Sequence, residues 1–487
     1  MQANILKKII KVSERYPQKV SLRTNETSLN YADLVSAIIE TSADLISFNS
    51  QVFGLDLSNC PEWVIIDLSI LNIKATNIPI PSFFSSEQIN HLISDSSLEI
   101  MISDNYDKYQ GNFSLIKTIK ILQKELYVFK TKNIAPNLDY SKITYTSGTT
   151  GNPKGVCLTE VNIQKTIMAL EEALNINQDD VHFSFLPYSV LLENIAGIYL
   201  PLMLGAEIFI PNEKELNFGS PTIDYQRVIS IINEVKPSTA ILVPHQLSAL
   251  LQSIVAHGQG MKSFKYIAVG GAHVRLSDLR LAKKLEIPVY QGYGMSETAS
   301  VISVNTLKNN KLGTVGRVLD HLDIKIDSEG EILVKGNLFS GYLNQSSNLV
   351  DENGFYRTGD IGQIDTDGYL KILGRKKHIF INSFGRNISP EWLENELSSH
   401  PQIIQSAVFG ESETSCSAVI FSTNRDKVNE AIKKTNSILP EYAQITRWVH
   451  AEEPFLISNG LLTLSGVVNR DAIWSKYHHS LTLEEVN

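Results

Sequence analysis

From Tyr31 to about residue 311, short apolar runs alternate with segments whose apolar positions recur at helical spacing. After a polar turn at Asn25–Ser28, the spacing predicts a helix over Tyr31–Leu45. Strands are predicted at Val52–Leu57 and Ile78–Pro81, on either side of a helix over Pro61–Leu71. The alternation continues with strand 142–146, helix 160–174, strand 183–186, helix 191–204 and strand 206–210. Strands 240–243, 266–269 and 288–290 follow, interleaved with helices from His245 and over 276–285. This order predicts an α/β fold of layered subdomains with largely parallel sheets.

The pattern changes after residue 311. Short β segments at 313–318, 323–326, 331–335 and 369–373 are joined by turns such as Ser-Glu-Gly and Thr-Asp-Gly. They predict a small antiparallel β subdomain over about 311–374, the last part of a large N-terminal domain, 1–374. A polar stretch at 375–378 reads as a hinge. The remainder, 379–487, is long enough for a small, mobile α+β lid. Helix 389–399, strands 404–410 and 416–422, and helix 426–437 would build it.

A chain of 487 residues, 43% hydrophobic and 20% charged, suits a globular protein of two or more domains. Its formal charge of -9 argues against nucleic acid as the main partner. Cys60, Cys157 and Cys416 are scattered and odd in number, which gives no metal spacing and points to a reducing, cytoplasmic setting. The polar start carries no signal-peptide core, and no segment offers about 20 apolar residues for a membrane span. The longest apolar run, near Ile195–Ile210, contains Pro201 and Glu207 and reads as a buried helix and strand.

The candidate chemistry begins at Thr144-Tyr-Thr-Ser-Gly-Thr-Thr-Gly-Asn-Pro-Lys-Gly-Val156. Gly148 and Gly151 permit close backbone approach. Successive N–H groups there form an anion nest. Thr146, Ser147, Thr149 and Thr150 add hydroxyl donors and Lys154 a cation. The order differs from the usual Gly-Lys-Ser/Thr phosphate loop and from the three-glycine dinucleotide fingerprint. Tyr290-Gln-Gly-Tyr-Gly-Met-Ser-Glu-Thr298 is the second motif. Tyr293 beside Gly294 offers a face for adenine, Glu297 a carboxylate for Mg²⁺, and Thr298 a donor to phosphate. Gly270, Gly271 and Ala272 leave room against a strand end. In Tyr356-Arg-Thr-Gly-Asp360, an aspartate after a tight turn can accept both ribose hydroxyls, with Arg375 in reach of the same nucleotide.

Together these motifs resemble, in order and spacing, the adenylate-forming superfamily of acyl-CoA synthetases, luciferases and peptide-synthetase adenylation domains. The stretches Asn59-Cys-Pro-Glu-Trp63, Leu186-Pro187, Gly374-Arg-Lys-Lys377, Asn387-Ile-Ser-Pro390 and Asn459-Gly-Leu-Leu-Thr463 look like its long-chain fatty acyl-CoA synthetase branch. The resemblance implies ATP and Mg²⁺ as cofactors and a carboxylic acid, most like a fatty acid, as substrate. The acceptor would be CoA or the phosphopantetheine of an acyl carrier protein. Residues 146–154 would bind phosphates, Lys377 would be the pivot, and Gly385 would line a thiol tunnel.

Two positions depart from that family. Val467 stands where relatives carry a lysine that holds the carboxylate and the α-phosphate, and Val190 where they usually carry histidine. Neither valine side chain can donate a hydrogen bond or carry charge. Losing one preorganised donor costs about 10²–10³ in rate. Arg470 and Lys476 are the nearest cations in sequence to take over. The alternative readings are an adenylation-impaired binding protein, an enzyme of the thioester half alone, or one making another product such as a β-lactone. His245 and His273, beside strand ends, read as acyl-pocket polar groups or as structural histidines, and Glu193, on the apolar helix, as an active-site or a helix-surface residue.

Overall fold

The computed structural model describes residues 4–111, 113–133, 138–146, 153–212, 223–258, 260–345, 349–400, 402–456, 458–463 and 467–483. Two large mixed sheets carry the N-terminal part. In the first, strands run in the order Gly341–Tyr342, Lys154–Leu158, Lys142–Thr146, Thr76–Pro79, Val52–Asp56, Ile100–Ser103, Lys124–Lys130 and Ser114–Ile121. The four from Lys142–Thr146 to Ile100–Ser103 are parallel. Thr76–Pro79 and Ile100–Ser103 are buried at every position, as strands covered on both faces are.

The second sheet has a parallel core running through Val20–Arg23, Glu207–Phe209, Val181–Phe183, Thr239–Leu242, Tyr266–Val269 and Val289–Tyr293. Its antiparallel borders are Ser28–Asn30 on one side and Ser303–Val304 with Arg317–Val318 on the other. A third sheet, Leu322–Ile326, Glu331–Gly336, Tyr356–Ile364 and Leu370–Arg375, is antiparallel throughout. Beyond it, Ile403–Phe409, Cys416–Ser422 and Ile445–His450 form a small sheet with helices Pro390–Ser398, Val428–Asn436 and Arg470–Leu483. This C-terminal segment has apolar clusters of its own, around Leu393, Ile420 and Phe455.

A buried polar group ties the two large sheets together. Helix Pro61–Asn72 starts on a proline, whose missing N–H costs nothing at that position, and is buried from Pro61 to Leu71. It carries Asp67. Lys142, on the first sheet, donates to Asp67 at 2.8 Å, to Asn194 at 2.5 Å and to the Tyr199 hydroxyl at 3.1 Å. Tyr199 and Asn194 in turn donate to the other Asp67 oxygen, at 2.5 and 3.0 Å. Both belong to the connection between two strands of the second sheet. The side chains of Lys142 and Asp67 are 3% and 1% exposed. Burial pulls the Lys142 ammonium below its usual range, and Asp67 opposes that pull.

Several expectations are corrected. The helix expected over 191–204 is present, but its middle, Glu193–Tyr199, is π-helical, with α geometry resuming at Leu200–Leu204. Gly197 fits there because a Cβ would crowd His182 and Glu193. The segment expected as strand 313–318 pairs only at Arg317–Val318, and on the border of the second sheet. Tyr356–Asp360 is no turn but the start of a nine-residue strand. The hairpin Ser114–Ile121/Lys124–Lys130, helix Ile5–Arg15 and strand Ile445–His450 lie outside the sequence reading. No helix among the described residues is long and apolar enough to cross a membrane.

Lys142→Met leaves Asp67 as an unpaired buried charge. It should cost about 3–5 kcal/mol in unfolding free energy. The double change with Asp67→Leu should recover part of that loss. Denaturant melts of the three proteins check the pair.

Candidate active site

Lys154 opens strand Lys154–Leu158, directly opposite Thr146, so both border the glycine-rich segment in sequence. Ser147, Gly148, Thr149, Thr150 and Gly151 lie outside the described residues. On its other side this strand pairs with Gly341–Tyr342. The Lys154 ammonium sits 5.2 Å from the centre of the Tyr342 ring. The Tyr342 hydroxyl donates to Glu297 Oε1 at 2.7 Å and lies 3.0 Å from the Tyr356 hydroxyl. Burial, then Glu297, pushes the Tyr342 phenol far above its usual range, so it stays protonated. Three segments distant in sequence thus meet at one phenol.

Strand Tyr356–Ile364 leads from that phenol to a second group. Its pairing with Glu331–Gly336 shifts between Leu333 and Glu331, which leaves Thr358, Gly359 and Asp360 as a bulge. Gly359 sits at φ +72° within it. Bulges re-aim side chains, and this one turns Asp360 inward. Tyr293 donates to Asp360 Oδ2 at 2.5 Å, and Arg375 Nε to Oδ1 at 2.8 Å. Arg375 is also the β partner of Asp360. Burial raises the Asp360 carboxyl above its ordinary value against the pull of Arg375 and Tyr293. A carboxylate has about four acceptor sites, so roughly two remain for a ligand diol.

Gly270 and Gly292 approach closely, since a Cβ on Gly270 would sit 3.2 Å from the Gly292 carbonyl. Gly271 has φ +82°, and Ala272 beside it is exposed. At Gly294 an added Cβ would overlap the Ser300 carbonyl. Thr298 is fully buried, and its hydroxyl donates to the Met295 carbonyl. Glu193 is also fully buried, 3.2 Å from His182 Nε2, and is not a helix-surface residue. His245 and His273 are exposed.

The C-terminal residues stand apart. Val467 is 39% exposed and bonds to Thr463 of its own loop. Gly385 occupies an exposed turn at φ +70°, and Lys377 lies exposed in a short turn, Lys376–His378. Arg470 makes two bonds to Glu394, at 2.5 and 2.8 Å, and one ion pair with Glu391 at 3.2 Å. Lys476 pairs with Glu453 at 2.6 Å. Neither cation is therefore placed to stand in for a lysine at 467. Across the polar stretch, Ser389 donates to the Leu373 carbonyl at 2.9 Å, and Gly374 admits no Cβ beside Ser389 and Glu391.

Sequence reasoning missed Tyr342, because a tyrosine in a two-residue strand carries no spacing or charge signal, and it gave Tyr356 no role of its own within its motif. Asn59 was quoted only as part of a motif. It donates to the Leu186 carbonyl and accepts from the Tyr188 N–H at 2.7 and 2.8 Å, which joins two of the quoted stretches. Among the described residues no three His, Cys, Asp or Glu side chains gather as a metal cage. Mg²⁺ accommodates this, since it needs only one or two carboxylates when phosphate oxygens and waters complete its shell. Glu297 supplies one.

A family model described as AMP-binding enzyme matches residues 10–343. The long-chain-fatty-acid–CoA ligase FadD15 of Mycobacterium bovis is 24% identical over 456 residues, 77% of this chain and 73% of that protein. The 2-succinylbenzoate–CoA ligase of Listeria innocua is 30% identical over 331 residues, 66% of this chain and 67% of that protein. Among solved structures, the o-succinylbenzoate CoA synthetase MenE of Bacillus subtilis with its acyl-adenylate intermediate has the same fold. Its TM-score is 0.77 at 22% identity, over 96% of this chain and 97% of that one. The same synthetase is known with ATP and magnesium ion.

Glu391 generates a pH prediction. Burial favours its neutral form, but His378 and Arg470 outweigh this and bring it from 4.5 to about 2. A depressed carboxyl stabilises the fold above its unfolded value and stops doing so as pH falls through the folded one. Stability from this group should therefore decline between pH 4.5 and about 2. Glu391→Gln should flatten that part of a profile of thermal midpoint against pH.

Proposed function

The chain belongs to the AMP-binding enzyme family, and on that premise we propose that it is an AMP-forming carboxylate–thiol ligase. The observation that carries the reading is the convergence of Lys154, Glu297, Tyr293 and Asp360 through Tyr342 and the strand Tyr356–Ile364. Lys154 and the glycine-rich segment meet the phosphates of ATP. Asp360 accepts the ribose hydroxyls, and Tyr293 lies against adenine. Glu297 supplies a carboxylate to Mg²⁺, which lowers the charge of the triphosphate when bound. The substrate carboxylate attacks the α-phosphorus, pyrophosphate leaves, and an acyl-adenylate remains. A thiol, of CoA or of a carrier phosphopantetheine, then attacks the acyl carbonyl and AMP departs. Positioning and charge neutralisation carry most of such a transfer.

The acid is a fatty acid in this reading, supported by the stretches at 59–63, 186–187 and 374–377 and by the FadD15 likeness. The succinylbenzoate ligases make an aromatic acid the competing substrate. The segment 379–487 acts as a lid that turns about Lys377, supported by its separate apolar clusters.

A second reading, a nucleotide-binding homologue with weak adenylation, rests on Val467 and on the engagement of Arg470 and Lys476 in ion pairs of their own. ATP–pyrophosphate exchange across fatty acids of several lengths and aromatic acids separates the two. Val467→Lys should raise exchange by up to about 10²–10³. Fast native exchange that the lysine leaves unchanged would show that another residue does this work. Lys154→Ala and Asp360→Ala should each weaken ATP binding measured by calorimetry. An unmodified protein that binds no ATP at millimolar concentration would overturn the assignment.

A further inference from the structure

Tyr342 touches both charged groups assigned to the triphosphate, and no motif contains it. Its single proton goes to Glu297 Oε1 at 2.7 Å. The 3.0 Å contact with Tyr356 must then be a bond donated by Tyr356 to the Tyr342 oxygen. This gives a directed chain, Tyr356 to Tyr342 to Glu297. Among the described residues nothing donates to Glu297 Oε2. The hydroxyl thus takes one carboxylate oxygen and leaves the other to meet a cation. The face of the same ring carries the Lys154 ammonium. A ring under an ammonium holds it electrostatically. Tyr342 itself is fixed by strand pairing with Val156 and by edge contacts of Phe339 with both tyrosines.

Resting on the ligase reading, we propose that Tyr342 is a positioning residue for magnesium-bound ATP. Its hydroxyl aims Glu297 at the metal and its ring holds Lys154 toward the phosphates. The two roles separate by substitution. Tyr342→Phe keeps the ring and removes the hydroxyl. Tyr342→Leu removes both.

Calorimetric titration with ATP, once with Mg²⁺ and once with EDTA, reads the roles without catalysis. The native protein should bind ATP more tightly with Mg²⁺. Tyr342→Phe should lose about 10-fold of that magnesium increment, as expected for a hydrogen bond to a charged group. Its affinity in EDTA should stay native. Tyr342→Leu should also bind more weakly in EDTA. Tyr356→Phe, which contacts neither Glu297 nor Lys154, should lose less of the increment in the same direction and decides the matter if the Tyr342 variants do not fold. A native increment in Tyr342→Phe, or in Tyr356→Phe where only that variant folds, would make Tyr342 a strand residue and leave the ligase reading standing. No binding of ATP by the native protein in either condition would overturn both.

Discussion

The pairing of Lys142 with Asp67 is the constraint around which the large sheets are arranged. Two charges with almost no exposure are tolerable only if every lone pair and proton finds a partner. Asn77, Asn194 and Tyr199 complete that set, and they arrive from a strand of the first sheet and from the connection within the second. A shift of either sheet by one residue would strand an ion in an apolar interior. The network therefore sets the register between layers far more sharply than the surrounding Ile and Leu side chains, which tolerate small slips. It also seats strand Lys142–Thr146, which leads into the glycine-rich segment, so that segment starts from a fixed point.

From that fixed point the site is assembled by backbone pairing more than by loops. Thr146 faces Lys154, Val156 faces Tyr342, and Asp360 faces Arg375. The last two set Tyr342 against Tyr356 of the third sheet and Asp360 against Tyr293 of the second. Where a regular strand would point the wrong way, a bulge at 358–360 corrects the aim of Asp360. The cost is visible in the electrostatics, where burial raises Asp360 even with Arg375 and Tyr293 beside it.

The layered α/β class and most central strands were legible because strands buried on both faces read as plain apolar runs. Lys142–Thr146, Tyr266–Val269 and Cys416–Ser422 fall where the pattern puts them. Ser114–Ile121 did not show, since six of its eight residues are exposed and its two Lys residues dilute the alternation. Tyr356–Asp360 resembled a turn because Thr-Gly-Asp is turn chemistry, and here that chemistry builds a bulge inside a strand. Glu193–Tyr199 falls inside the expected helix, and its wider π turn leaves no mark in the apolar spacing; a Cβ at Gly197 would crowd His182 and Glu193. Lys154, Glu297, Tyr293 and Asp360 stood out by residue type. Tyr342 could not, because its meaning lies entirely in what the fold sets beside it.

The two-residue strand Gly341–Tyr342 has a consequence beyond the site. It is the border of the eight-stranded sheet and covers Lys154–Leu158, whose Val156, Cys157 and Leu158 are buried. Without it, that strand would present a row of unpaired N–H and C=O groups flanked by apolar side chains, a template for edge-to-edge association of neighbouring molecules. The segment that steadies Lys154 and Glu297 is thus also a guard against self-assembly. Damage there would reach the cell as lost solubility as well as lost chemistry.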